Sequence, residues 1–113
     1  MQALHLASHS ALRAHIDYGA LCLWRGNRLL GMSKALQADH YSYARERGVL
    51  YYFLADRRCM GALNLDARRG VLEIGTCKLQ LCQSQDARVA RRIAQHLRLA
   101  GAHQFADDLL CVL

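Results

Sequence analysis

Between residues 49 and 81, three apolar runs are joined by links of only a few residues, and this spacing restricts the possible folds more than any other feature. The runs are Val49–Ala55, Cys59–Leu65 and Val71–Leu81, and the links are Asp56-Arg57-Arg58 and Asp66-Ala67-Arg68-Arg69-Gly70. Strands joined so closely return antiparallel beside one another, because a parallel return needs a much longer crossover. The second link opens on Asp and closes on Gly, the chemistry of a type I turn closed by a residue with positive φ. A three-stranded meander is therefore expected.

The rest of the chain is read by the same rules. Ala20–Trp24 and Leu29–Met32 flank Arg25-Gly26-Asn27-Arg28, and Gly-Asn at the centre suits a tight primed turn, which predicts a first hairpin. Before it, Ser10–Ile16 carries Leu12, His15 and Ile16 at helical spacing, with Ser8 or Ser10 available as a cap. After it, Ser33 is a competent N-cap for a stretch of helical composition, Lys34–Arg47, which stops at Gly48. Leu36, His40 and Tyr43 would share one face of that helix. A longer helix is predicted from Ser84 to Ala100, stopped by Gly101, with Val89, Ile93, Leu97 and Ala100 inward and Arg88, Arg91, Arg92 and Gln95 on the other side. A brief terminal helix, Ala102–Leu110, folds back through Phe105, Leu109 and Leu110.

The expected architecture is α+β. It is a five-stranded antiparallel sheet with helices packed on one face, in the order α-β-β-α-β-β-β-α, followed by the short C-terminal helix. Residues 1–113 form a single domain, since no repeat, linker or low-complexity run divides them. On element order alone, with no motif behind it, this arrangement resembles the roadblock and profilin-like architectures. That resemblance implies a dimerisation or docking platform.

Composition supports a folded chain, being 53% hydrophobic and 21% charged. The longest apolar stretches fall far short of the roughly 18 residues a membrane span requires. His5, Ser8, His9, Ser10 and Arg13 interrupt the N-terminal region where an export signal would need a continuous apolar segment, so a cytoplasmic location is expected. The five cysteines (Cys22, Cys59, Cys77, Cys82 and Cys111) are odd in number, and four lie in apolar or strand-like runs, which reads as reduced, buried thiols.

Charge is the remaining signal. The net charge is +6, and thirteen of the fifteen basic residues are arginine. Guanidinium is planar, permanently charged and weakly hydrated, so it favours bidentate contact with carboxylates or phosphates and stacking on partners. The candidate binding residues are Arg88, Arg91 and Arg92 on one helix face, and Trp24, Arg25 and Arg28 at the first hairpin.

These features favour a non-enzymatic regulatory module, self-associating as a homodimer, that binds or sequesters another protein. Arg, Tyr and Trp are common interface anchors, and the apolar ends Met1–Leu6 and Leu109–Leu113 need cover. A nucleic-acid-binding regulator is the second reading, with Tyr41, Tyr43, Tyr51, Tyr52 and Trp24 available for stacking. It is weakened because the turns at 56–58 and 66–70 fall at opposite ends of a meander. A thiol- or histidine-dependent enzyme is the third: Cys59 follows two arginines and His40 is a candidate base, but neither has a visible partner. No metal or cofactor is expected. His5 and His9 have helical i, i+4 spacing but lack a third ligand, and Cys77 and Cys82 would diverge along a strand.

Overall fold

The computed structural model describes residues 12–113, which form eight strands and two helices. Strands β1 (Leu12–Asp17), β2 (Ala20–Arg25) and β3 (Arg28–Ser33) make a three-stranded antiparallel sheet. Strands β4 (His40–Ala44), β5 (Val49–Phe53), β6 (Cys59–Asp66), β7 (Val71–Ile74) and β8 (Cys77–Gln80) make a five-stranded antiparallel sheet in chain order. Helices α1 (Ser84–Leu99) and α2 (His103–Val112) follow. The expected single sheet in α-β-β-α-β-β-β-α order is thus replaced by two sheets with both helices at the end of the chain. The likeness to roadblock and profilin-like order falls with it.

Two expected helices are strands, for one reason. In β1, Leu12, Ala14 and Ile16 alternate inward while Arg13, His15 and Asp17 point out. A period of two places every apolar residue of this segment on one sheet face, whereas the helical reading used only some of them. Its first residues, with the Ser8 and Ser10 caps, lie outside the described residues. In the second segment the buried Ser33 Oγ accepts the Ala35 N–H at 3.2 Å, but Ser33 is not the expected N-cap. The helical structure is one 3₁₀ turn, Ala35–Gln37, whose N-cap is Lys34 and carries no side-chain cap bond. Beyond it Tyr41 and Tyr43 both face the core, directly opposite Tyr52 and Leu50 of β5, while His40 and Ser42 face out. Aromatic pairing across a ladder outweighs helical composition here.

The first hairpin and the meander form as expected, with one refinement. Arg25 pairs with Arg28 around the two-residue turn Gly26-Asn27. Val71–Leu81 is not one strand, because Gly75-Thr76 folds it into the β7–β8 hairpin, with Gly75 at φ 59°. Leu63, Leu65, Leu72, Ile74 and Leu79 line the inner face of this sheet, and α1 lays Ala90, Ile93, Ala94 and Leu97 against both sheets. One continuous core joins all three layers.

The sheets meet where β3 approaches the β7–β8 hairpin. Gly31 lies so close that a Cβ there would stand 2.8 Å from the Ile74 carbonyl oxygen, and the Thr76 hydroxyl donates to the Leu30 carbonyl at 2.9 Å. Helix α2 is held by Phe105, which meets Tyr43 edge to face at 5.1 Å between ring centroids.

Candidate functional site

A register shift between Leu23 and Trp24 fixes what the three-stranded sheet presents to solvent. Leu21 and Leu23 face the core, so alternation sets Trp24, half-buried, and Cys22, itself buried, on the other face. Directly across the ladder from Trp24 are Arg13 and Leu29, and directly across from Cys22 are His15 and Met32. Leu29 is 44% and Met32 51% exposed, and Trp24 is half-buried between its neighbours. Arg13 donates to the Gly26 carbonyl, which fixes its aliphatic stem and charge beside the indole. This face combines one aromatic, two large exposed apolar side chains and an anchored guanidinium.

The outer face of the five-stranded sheet is less open. Arg47 lies over the Tyr51 ring at 5.8 Å and His40 tilts against Phe53 at 5.8 Å, so long side chains of the chain itself partly cover these aromatics.

The candidate residues of the first hairpin are separated by strand alternation. Trp24 belongs to the outward face, whereas Arg25 and Arg28 oppose one another on the other face, where Arg25 acts electrostatically on Cys77. On α1, Arg88, Arg91 and Arg92 are all exposed and border a shallow cleft of about 430 Å³ with Leu12 and Gln85. Arg91 also reaches a second cleft of about 580 Å³ on the other side, shared with Arg68 and Arg69 of the β6–β7 turn. Arg91 of the helix and the two turn arginines therefore border one cleft, which their separation in sequence conceals. Only the packing of α1 beside β8 brings them together.

A cleft of about 750 Å³ has Asp108 of α2 in its lining. The Tyr43 hydroxyl donates to Asp108 Oδ2 at 2.9 Å, Arg45 Nε lies 3.0 Å from the same oxygen, and Gln104 Nε2 donates to Oδ1 at 3.0 Å. Burial, then the Asp108 hydrogen bond and charge, push the Tyr43 phenol up to about 12, with Arg45 opposing. Such a phenol holds its proton at neutral pH, and the Asp108 carboxylate beside it is engaged by three donors. The cluster ties α2 to β4.

The thiols divide differently from expectation. All five are free, but only Cys22 and Cys77 are buried, and burial pushes both thiols up; Cys59, Cys82 and Cys111 are exposed. Cys59 donates to the Gly61 carbonyl at 3.3 Å, and Phe53 stands between the two enzymatic candidates as the ladder partner of both Cys59 and His40. Among the described residues no three of His, Cys, Asp and Glu converge as metal ligands. The His5–His9 pair lies outside them. No helix of the described residues is long and apolar enough to cross a membrane. No protein-family model, curated protein or solved structure matches this chain.

Proposed function

We propose that this protein is a non-enzymatic association module that binds an acidic protein partner through the outer face of its three-stranded sheet. The observation that carries this reading is the alignment of Trp24, Leu29 and Met32 on one outward face, with Arg13 fixed at its margin. Tryptophan, methionine and arginine are enriched at interfaces because they combine large contact area with a charge that is cheaply desolvated. The net charge of +6 selects an acidic partner, and two copies of such a chain would repel one another. A heteromeric contact is thus favoured over the homodimer.

The test places a photo-cross-linking amino acid at Leu29 in cells of the native host. The expected result is a discrete adduct with one acidic protein, abolished by Arg13→Glu with Met32→Asp. Cross-linking only to a second copy, or only to nucleic acid, would overturn the proposal.

A further inference from the structure

The 580 Å³ cleft between the β6–β7 turn, the link into α1 and the end of α2 gathers arginines from two elements. Its charged side chains are Arg68, Arg69 and Arg91, with Leu81 and Val112 as apolar wall and Cys82 at its edge, and no acidic side chain lines it. Arg69 is already engaged: its Nε lies 3.7 Å from Asp66 Oδ2, and Asp66 Oδ1 accepts its backbone N–H at 3.1 Å. Arg68 and Arg91 are exposed and have no hydrogen-bond or ion-pair partner among the described residues. Two arginines without ion-pair partners thus line one concavity from different elements, Arg91 also bordering the 430 Å³ cleft.

We infer that this cleft binds a phosphate monoester carrying a small apolar group. Two free guanidinium forks match a dianionic tetrahedral oxyanion in charge and can each make two parallel N–H···O bonds to it. A carboxylate can bridge two guanidiniums but brings half the charge. The volume lies within the ordinary range for small-molecule sites, and the half-buried Val112 and Leu113 supply the surface against which an ester's apolar group would lie. The inference is independent of the partner-binding face, since no residue is shared between them.

Cys82 provides a local reporter. Alkylation of each cysteine in the full chain is followed by peptide mass mapping during titration with phenyl phosphate, inorganic phosphate, benzoate and sulfate at constant ionic strength. The expected result is saturable protection of Cys82 by phenyl phosphate with Kd of about 1 mM or tighter, with Cys59 alkylation unchanged. Benzoate, which lacks the dianion, and sulfate and inorganic phosphate, which lack the apolar group, protect at least about tenfold more weakly. Arg68→Ala with Arg91→Ala abolishes the protection, whereas Arg57→Ala with Arg58→Ala, in the β5–β6 turn, retains it. All these side chains are exposed, so circular dichroism should show every variant folded. A phosphotyrosine peptide added as a further probe distinguishes the source: tighter binding than phenyl phosphate assigns the ester to a protein, weaker binding to a small molecule. Equal protection by sulfate or benzoate, or protection that survives loss of Arg68 and Arg91, would overturn the inference.

Discussion

At the scale of single residues, the Tyr43–Asp108 contact and Gly48 make claims that can be measured directly. The folded protein holds the Tyr43 proton to about pH 12, whereas an ordinary tyrosine releases it near 10. Since the folded pKa is the raised one, this contribution to stability is complete below pH 10 and is lost as the pH rises toward 12. Tyr43→Phe removes a hydrogen bond to a carboxylate that keeps Arg45 and Gln104, and should cost about 1–2 kcal/mol at pH 8. Urea denaturation at pH 8 and pH 11 should show that difference narrowing at the higher pH. Gly48 has φ 65°, and a Cβ there would collide with the Leu65 carbonyl, while its own carbonyl accepts the Leu65 N–H at 2.7 Å. Gly48→Ala therefore combines left-handed strain with a backbone clash and should cost about 2–4 kcal/mol, read from the shift in denaturation midpoint.

At the scale of elements, the contact between the sheets is the joint on which the fold depends. A methyl group at Gly31 would force β3 away from the β7–β8 hairpin, because the obstructing atom is backbone and cannot rotate aside. Gly31→Ala should destabilise by about 1–3 kcal/mol, and hydrogen exchange should quicken in β3 and β7 before β5. The same elements mark what the sequence disclosed. The Gly26-Asn27 hairpin, the 49–66 meander and both C-terminal helices were legible because turn residues and apolar periodicity agreed. β1 and β4 were not, because each is a short strand with helix-compatible residues, and the choice is made by pairing with β2 and β5. The helix expected from Ser33 shrinks to one turn capped at Lys34, because Tyr41 and Tyr43 are drawn to a ladder not yet visible in the chain. Candidate sites suffered likewise. Trp24, Arg25 and Arg28 are neighbours in sequence, yet alternation sends Trp24 to one face and the two arginines to the other. That Arg68 and Arg91 border one cleft depends wholly on tertiary packing.

At the scale of the whole molecule, the proposed association would take its speed from the +6 charge and its lifetime from the exposed apolar face. Association with the acidic partner should accordingly slow by about tenfold or more between low and physiological salt, while dissociation from the Trp24 face changes much less. Stopped-flow fluorescence of Trp24, the only tryptophan, reports both rates. The arginine-rich face of α1 would behave differently, since a purely electrostatic contact loses affinity without an apolar remainder. The most direct measurement compares partner affinity of the wild type with Met32→Asp on the sheet face and with Arg88→Glu/Arg92→Glu on α1. An affinity at least about tenfold weaker for Met32→Asp, with the helix variant much less affected, is the predicted result; loss of binding in the helix variant alone would contradict it.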